Sequence, residues 1–420
     1  MGITNSIFII FILYCYILAI CLQILKVNGG RPYMHKSFMV STPTFKNHSR
    51  IDSRLNVFDD SSGFYMLPLS IGTPPQDVLM LLDSGGYESW IPCSPNVVAR
   101  HKFDKFHPQA SSSFEPILCN SSNCMHSEGC DLESPSPCTF SASYIDGQLY
   151  EGIYSKDVFS FGKHSAMNLK FGCTTEDSGF AYSNGWVTGN IGLRSAGGSF
   201  LHQMKTLNGF YPILSFCLGS RLYDPNASRW ISFEKQGFKN MSYAPILIEG
   251  DYDLKLEGIT VDNIDVDMSN ITRLNASDPI DVVVDIGSPI TWLQEPLHSR
   301  FMNTFIAAMK KNTMLSPSSY YTTSVHTCYS VGVDVDIMSI QIPNVIFHLQ
   351  NDVHLHLGFE NLFFFWIENN QRVLCSNFWK KANDFKYLHL LGSSMLQNFY
   401  VEIDNNRRQI GFTRSDCGCL

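Results

Sequence analysis

Two stretches of the sequence decide the fold: "LMLLDSGGYESWI" at residues 79–91 and "DVVVDIGSPITWL" at residues 281–293. Each has three apolar residues, then Asp, any residue and Gly, and after three more positions Ser or Thr, Trp and an apolar residue. A single Asp-x-Gly after a strand is most often a turn. Two with matching flanks, about half a chain apart, predict duplicated lobes that each bring one carboxylate, Asp83 or Asp285, from the end of a buried strand.

A carboxylate pair delivered in this way can perform acid–base chemistry. We expect Gly85 and Gly287 to permit the tight turns that aim Asp83 and Asp285 at each other. Two adjacent carboxylates in a low dielectric cannot both ionise cheaply, so they share one proton and titrate as a unit. One can then act as general base on a water while the other polarises a carbonyl. The pair predicts peptide hydrolysis with neither a metal nor a covalent intermediate.

The rest of the sequence favours a mainly β protein. Most of the 420 residues form short apolar or alternating runs broken by Gly, Asn, Asp and Pro, and the best helical pattern is residues 296–312. The length suits two lobes. The net charge of −8 gives no basic surface for nucleic acid, and the sequence has no phosphate loop and no zinc-type cysteine pairs. We therefore expect no nucleic-acid partner, no cofactor and no metal.

The N-terminal segment predicts entry into the secretory route. Residues 6–25 are almost wholly apolar, and the small residues of "VNGG" at 27–30 follow them. Residues 1–29 are therefore interpreted as a signal peptide, or as an uncleaved signal anchor that would be the chain's only membrane contact. Residues 30–60 are polar and irregular, which is typical of a leader or short propiece.

Cysteines and glycosylation motifs agree with that route. Thirteen cysteines suit an oxidising compartment, where the tightly spaced Cys119, Cys124, Cys130 and Cys138 are most simply disulfides. Cys419 is the candidate for an odd, unpaired thiol. Six Asn-x-Ser/Thr motifs predict a glycoprotein; they begin at Asn47, Asn120, Asn226, Asn240, Asn270 and Asn275.

From about residue 60 to residue 418 the chain resembles the pepsin-like aspartic protease family. The segments that carry the resemblance are "IGTPPQ" (71–76), the two aspartate turns, "YIDG" (144–147), "NIGL" (190–193), "LLGSSMLQNFYVEID" (390–404) and "RRQIGF" (407–412). It implies a bilobal, mainly β fold with lobes related by a pseudo-twofold axis, and Asp83 and Asp285 as the catalytic pair. It also implies that Tyr144 and Gly147 belong to a flap over the substrate, and that Trp90 hydrogen-bonds Tyr144.

A narrower resemblance is to the cysteine-rich nepenthesin branch of plants, which is related to plasmepsin V. It rests on "WIPC", "LCNSSNC", "PCTFSASYIDG", "KFGC", "FSFCLG" and "HTCYS". This branch implies that the four clustered cysteines staple a loop before the flap. It also implies three bridges: Cys93–Cys173, Cys217–Cys417 and Cys328–Cys375.

Two positions depart from the family's usual Asp-Thr/Ser-Gly-Ser/Thr turn. In the family, the residue after each Asp donates a hydroxyl bond across to the other lobe; Ser84 can do this, but Ile286 cannot. The fourth residue supports the outer oxygen of its own aspartate; Ser288 can do this, but Gly86 cannot. Each turn is thus expected to lack one of two supports.

The resemblance implies an aspartic endopeptidase that acts on extended polypeptides bound between an N-terminal lobe (61–240) and a C-terminal lobe (247–418). We expect a monomer in a secretory compartment. The alternative is a weakly active or inactive binding or inhibitor protein with the same fold, since the two altered turns reduce the support of the pair. A structural surface glycoprotein is a weaker third hypothesis.

Two further interpretations fail. Ser84 is not the nucleophile of a trypsin-like protease, because only His35 and His48 precede it and that nucleophile follows its His and Asp by most of a domain. His354 and His356 share one face of a strand, but the sequence offers no carboxylate neighbour or His-Glu-x-x-His that would complete a metal site.

Overall fold

The computed structural model describes part of the chain. The described residues are 54–59, 63–93, 106–124, 130, 136–144, 147–161, 165–175, 189–220, 227–271, 280–312, 314–318, 322–323, 326–381 and 389–417. The predicted signal segment, the first part of the predicted leader and Cys419 lie outside these ranges.

Within them the chain is mainly β. The strands in chain order are β1 (Leu55–Asn56), β2 (Phe58–Asp59), β3 (Tyr65–Ile71), β4 (Gln76–Asp83), β5 (Trp90–Pro92), β6 (Glu115–Pro116), β7 (Thr139–Ser143), β8 (Leu149–Phe161), β9 (Ser165–Thr174), β10 (Gly189–Gly192), β11 (Leu214–Leu218), β12 (Arg229–Ser232), β13 (Ser242–Pro245), β14 (Asp253–Val261), β15 (Ile264–Asp265), β16 (Ile280–Asp285), β17 (Thr291–Leu293), β18 (Ser316–Pro317), β19 (Cys328–Gly332), β20 (Val345–Leu349), β21 (Val353–Leu357), β22 (Phe363–Glu368), β23 (Gln371–Ser376), β24 (Phe378–Lys380), β25 (His389–Gly392), β26 (Phe399–Asp404) and β27 (Gln409–Arg414).

Helices are few and short, as the sequence predicts. They are α1 (Phe200–Asn208), α2 (Leu297–Met309) and the single turn α3 (Phe359–Leu362). The helix expected over 296–312 is α2, whose apolar face is buried at Leu297, Phe301 and Phe305. The Ser199 hydroxyl accepts a hydrogen bond from the His202 amide and so caps the start of α1.

Two large sheets repeat one arrangement, and the protein is two-lobed. In the first sheet the strands lie in the order β2-β3-β4-β10-β5-β9-β8-β6, with β7 paired to β8; in the second the order is β21-β20-β14-β16-β25-β17-β24, with β15 paired to β14. The segment β4-β10-β5-β9 matches β16-β25-β17-β24: both run parallel, antiparallel and parallel from one pair to the next. This match is the structural form of the sequence repeat.

A six-stranded sheet takes strands from both halves of the chain, in the order β1-β12-β11-β26-β27-β13. Its first strand, β1, comes from the end of the segment 30–60 that is predicted to be a leader or short propiece. Leu55 pairs with Ile231, and both Leu55 and Val57 are buried in the main hydrophobic core. Because these apolar side chains alternate with exposed Asn56, the segment forms an edge strand of this sheet. The assignment of residues 30–60 to a leader stays a prediction.

Candidate active site

Each predicted aspartate lies at the carboxyl end of a buried strand. The last six residues of β4 are buried and end at Asp83, and β16 ends in the same way at Asp285. The parallel neighbours place Gly192 beside Asp83 and Gly392 beside Asp285. Since both strands continue directly into tight turns, the backbone carries the two carboxyl groups to the contact between the two sheets.

The two carboxyl groups lie against each other. The Gly85 amide donates to Asp83 Oδ1 at 2.9 Å and to Asp285 Oδ1 at 3.1 Å, while the Gly287 amide donates to Asp285 Oδ1 at 2.8 Å. One amide, that of Gly85, thus binds an oxygen of each carboxyl group and holds the two groups side by side. Ile286 therefore does not separate the two turns.

Glycine is required in both turns by close approach. A Cβ on Gly85 would lie 2.9 Å from the carboxyl carbon of Asp285, and one on Gly287 would lie 2.6 Å from Asp83 Oδ1. Each turn thus packs its backbone directly against the carboxyl group of the opposite lobe. Any side chain at either position would push the pair apart.

Burial governs the protonation of the pair. The Asp83 and Asp285 side chains are 5% and 8% exposed. Burial, followed by the negative charge of Asp285, raises the pKa of Asp83; burial likewise raises the pKa of Asp285. The Gly85 amide and the charge of Arg194 oppose both shifts. The pair therefore holds a proton to higher pH than isolated carboxyls do, as acid–base catalysis by water activation requires.

Ser84 joins the two lobes. Its hydroxyl accepts a hydrogen bond from the Ile286 amide at 2.9 Å and donates one to the Val284 carbonyl at 3.0 Å. The side chain is fully buried. Ile286, at the equivalent position, has no hydroxyl to return the interaction, and its alkyl group lies in the main hydrophobic core. One half of the expected cross-lobe brace is present and the other is replaced by apolar packing.

Ser288 differs from the role expected for it. Its hydroxyl contacts the Ile290 carbonyl at 3.3 Å and accepts from Trp292 Nε1 at 3.2 Å. In the described part of the chain it makes no hydrogen bond to Asp285. The neighbouring indole and carbonyl satisfy the hydroxyl within its own turn, so the sequence-based expectation of an outer-oxygen support at Ser288 is wrong.

The flap residues and Trp90 come together as the resemblance implies. Strands β7 and β8 form a hairpin, and at its tip the Gly147 amide donates to the Tyr144 carbonyl at 2.9 Å, with Gly147 in the left-handed region at φ 85°. Trp90 Nε1 donates to the Tyr144 hydroxyl at 2.7 Å. Trp90 also stacks on Tyr150 with ring centroids 3.9 Å apart. Trp90 thus contacts this hairpin on both sides of its tip.

Two residues near the pair were not predicted from sequence. Asn190 Nδ2 donates to Asp83 Oδ2 at 3.2 Å, within the segment interpreted only as apolar-glycine. Arg194, four residues later, hydrogen-bonds Asp251 and Tyr87 and lowers the pKa of both catalytic candidates. The sequence signal for Asn190 is its position in the repeat: residues 190–192 begin with a polar residue, whereas the equivalent residues 390–392 begin with leucine.

Ten cysteines form five bridges. The structure pairs Cys93–Cys173, Cys119–Cys130, Cys124–Cys138, Cys217–Cys417 and Cys328–Cys375. Three are the bridges implied by the nepenthesin resemblance, and the other two join the clustered four before the flap. The groups of described residues close enough to hold a metal consist of these cysteines and His326. Sulfurs in disulfides offer no thiolate, so neither group has the donors of a zinc site.

Family models and known proteins match this chain over most of its length. A family model described as "Xylanase inhibitor N-terminal" matches residues 65–233, and one described as "Xylanase inhibitor C-terminal" matches residues 251–414. The protein Aspartic Protease in Guard Cell 2 of Arabidopsis thaliana is 24% identical, over 86% of this chain and 74% of its own. Aspartic proteinase nepenthesin-2 of Nepenthes gracilis is 25% identical, over 85% and 78%. The kinship with plasmepsin V stays a prediction.

A solved structure supports the architecture. The crystal structure of basic 7S globulin from soybean superposes with a TM-score of 0.66 at 19% identity, covering 86% of this chain and 96% of that one, which shows the fold alone. None of the helices described above is long and apolar enough to cross a membrane. Two family models match, one on each half of the chain, and the relatives are named as aspartic proteases. The chain also has a duplicated aspartate turn on a two-lobed β fold. The chain belongs to the pepsin-like aspartic protease family.

Proposed function

We propose that the protein is an aspartic endopeptidase that hydrolyses peptide bonds with Asp83 and Asp285. One observation carries the proposal: a single amide, that of Gly85, donates to an oxygen of each of the two buried carboxyl groups. Burying two ionisable groups beside each other carries a desolvation cost, so such a pair is weak evidence for a purely stabilising role. An arrangement that forces two carboxyls to share a proton is suited to general acid–base chemistry.

The proposed mechanism needs only these two groups and a water. The ionised carboxyl takes a proton from the water, which attacks the peptide carbonyl. The protonated carboxyl donates its proton to the carbonyl oxygen as the tetrahedral intermediate forms. The first carboxyl then passes the proton it took from the water to the amide nitrogen, and the C–N bond breaks. The second carboxyl takes a proton back from a hydroxyl of the intermediate, which releases the acid and the amine and restores the pair with one proton. Gly85 and Gly287 amides hold the inner oxygens still, so little reorganisation is needed when charge moves between the two carboxyls. No side chain becomes covalently attached to the substrate.

We further propose an extended polypeptide as the substrate, bound between an N-terminal lobe over 61–240 and a C-terminal lobe over 247–418. The flap tip at Tyr144 and Gly147 would close over it. Extended peptides bind strand edges through main-chain hydrogen bonds, and the β7–β8 hairpin offers such an edge. The five disulfides support a secretory compartment, and we propose that the protein acts there as a monomer.

The test is peptide hydrolysis by the full chain after acid treatment. A peptide library is incubated between pH 3 and pH 7 and the products are identified by mass spectrometry. We expect internal cleavage that pepstatin inhibits and that Asp83→Asn and Asp285→Asn each reduce by at least roughly a thousandfold, because removing one member disables the unit.

Asp404→Asn is the matched control. Asp404 is a buried aspartate at the end of β26, where it accepts hydrogen bonds from the Asn406 and Arg407 amides of the following turn. Its variant should retain the wild-type cleavage pattern. If the wild type cleaves nothing and ignores pepstatin, the proposal fails and the alternative of a binding or inhibitor protein with this fold replaces it.

A further inference from the structure

The two lobes place their polar groups differently around the aspartates. In β10, Asn190 lies opposite Trp90; in β25, Leu390 lies opposite Trp292. Asn190 and Leu390 therefore occupy equivalent positions in the repeated arrangement. Both are buried, at 0% and 5% exposure, so the difference is a buried amide in one lobe and an alkyl group in the other.

A second difference runs in the opposite direction. Three residues after the aspartate, the first lobe has Gly86 and the second has Ser288. The first lobe thus combines glycine at 86 with asparagine at 190, whereas the second combines serine with leucine. The lobe whose turn has no hydroxyl at this position therefore has an amide in the neighbouring strand.

The amide of Asn190 faces the outer oxygen of Asp83. Nδ2 donates to Asp83 Oδ2 at 3.2 Å and to the Glu88 carbonyl at 3.3 Å, which uses both of its hydrogens. The orientation follows from the partners, because the reversed amide would point an oxygen at a carboxylate and a carbonyl. Asn190 Oδ1 is buried without a hydrogen-bond partner among the described residues. The side chain therefore accepts an energetic cost to present its donors.

Gly86 leaves no space for a different arrangement. A Cβ at this position would lie 2.3 Å from Asp83 Oδ2, a distance that real Cβ atoms do not show, and 3.4 Å from Asn190 Nδ2. The turn approaches the outer oxygen so closely that only glycine fits beside the carboxyl as Asn190 holds it. Glycine at 86 and asparagine at 190 are thus both required for this one position of the Asp83 carboxyl group.

We propose that Asn190 is a positioning residue for Asp83, which supplies from the neighbouring strand the donor to the outer oxygen that Gly86 cannot supply from the turn. The predicted effect of Asn190 on reaction rate rests on the proposed function. Its predicted effect on the titration of the carboxyl pair is independent of that function. Asn190 holds the outer oxygen while the Gly85 amide holds the inner one, so both oxygens of Asp83 are fixed by neutral donors.

The replacement has an electrostatic consequence. The charged groups that act on Asp83 are Asp285, which raises its pKa, and Arg194, which lowers it. Asn190 lowers the pKa of Asp83 by bonding its ionised form, against the larger effect of burial. Removing a donor to a charged group should raise the apparent pKa of the pair by about one to two pH units.

The test compares carboxyl titrations of the full-length wild type and of Asn190→Leu, which copies the residue found in the other lobe. Aspartate carboxyl carbons are labelled with carbon-13, and the pair is assigned with Asp83→Asn and Asp285→Asn. We expect the apparent pKa of the pair to rise in Asn190→Leu. The control is Asn377→Leu, which removes a buried amide that donates to the Glu360 and Asn361 carbonyls and should leave the pair unchanged.

Asn190→Asp keeps the result interpretable if the leucine variant does not fold. It is nearly isosteric and replaces the donor by a group that can itself ionise, so it should raise the apparent pKa at least as much. A shift below about 0.3 unit in both folded variants, or an equal shift in Asn377→Leu, overturns the inference. Because the titration is read without substrate, it remains decisive if the protein proves to have no peptidase activity.

Peptide cleavage gives the second measurement. In Asn190→Leu we expect kcat to fall roughly 10- to 100-fold with little change in KM, since a misplaced carboxyl affects the chemical step. Gly86→Ser alone should also lower kcat, because its Cβ meets the carboxyl. Combined with Asn190→Leu it should cost less than the product of the two single effects, since the introduced serine hydroxyl can donate to the outer oxygen of Asp83 in place of the lost amide. Strictly multiplicative effects would contradict the exchange of roles.

Discussion

Replacing Asp83 by asparagine should flatten the pH dependence of stability between about pH 4 and pH 7. The pKa of Asp83 rises from its ordinary value of 3.8 to about 7, mainly through burial. A raised pKa means that the folded state binds the proton more tightly than the unfolded chain does. The resulting stability is fully present below pH 3.8 and is lost as the pH rises through about 7.

The magnitude follows from the same pKa values. The proton is shared with Asp285, so the difference between 3.8 and about 7 belongs to the pair and sets an upper limit of about 4 kcal/mol on the unfolding free energy lost above neutral pH. Asp83→Asn cannot ionise, so it should not lose this stability. Its amide would face donors from Gly85 and Asn190, which imposes a cost, but a cost that does not vary with pH. The quantity to measure is therefore how the difference in unfolding free energy between variant and wild type changes with pH. A constant difference between the two proteins does not affect this slope.

Other groups titrate in this pH range, and their contributions to stability must cancel when the variant is compared with the wild type. Burial raises the pKa of Asp253 to about 6, which adds a loss of the same sign. Burial lowers the pKa of His326 and His389 to about 4, which gives stability that is present above pH 6.5 and lost as the pH falls. These residues are unchanged in the variant, so their contributions disappear from the difference.

Urea unfolding followed by the fluorescence of the six tryptophans, at five pH values from 4 to 8, measures the slope. We expect Asp83→Asn to gain stability relative to the wild type by up to about 4 kcal/mol between the two ends. Asp285→Asn should change in the same direction, since either variant breaks the pair. The matched control Asp404→Asn should show no such gain. A difference that stays constant with pH in Asp83→Asn would refute the assignment of a proton-holding pair.

Three further predictions concern the surroundings of the pair. Ser84→Ala leaves two buried backbone groups without partners and should cost about 2 to 4 kcal/mol in urea unfolding; a loss below about 1 kcal/mol would show that Ser84 does not brace the turns. Arg194→Met removes a positive charge that lowers the pKa of both aspartates, so the acid limb of the kcat/KM profile should move to higher pH, and an unmoved limb would contradict this. Replacing Cys217 and Cys417 together by alanine opens a loop of 200 residues and should cost about 5 kcal/mol in the chain-entropy model; unfolding in urea at the wild-type midpoint would argue against it.

Much of this account could be predicted from the sequence because its evidence is local and repeated. Apolar runs ending in Asp-x-Gly predict a buried strand followed by a tight turn, and their repetition places Asp83 and Asp285 in equivalent positions. The helix α2 was equally visible in a spacing near 3.6 residues. The edge strand at Leu55 was not recognised, because Leu55 and Val57 form too short an apolar pattern before their partner strand β12 is known.

The supports of the aspartates could not be predicted in the same way. Asn190 and Asp83 are 107 residues apart, and their contact depends on the parallel pairing of β10 with β4. Ser288 carries the residue type expected for its role, yet its hydroxyl turns to Trp292 Nε1 and the Ile290 carbonyl. A hydroxyl chooses among nearby partners by geometry of about one ångström, which a motif does not specify.

The pH profile of kcat/KM on one identified peptide tests the central claim most directly, with Asp285→Asn measured in parallel. The account predicts a bell-shaped profile whose two limbs belong to the carboxyl pair, with its maximum below neutral pH and no measurable rate in the variant. A rate that Asp285→Asn retains, or one that does not change between pH 3 and pH 8, would contradict catalysis by Asp83 and Asp285.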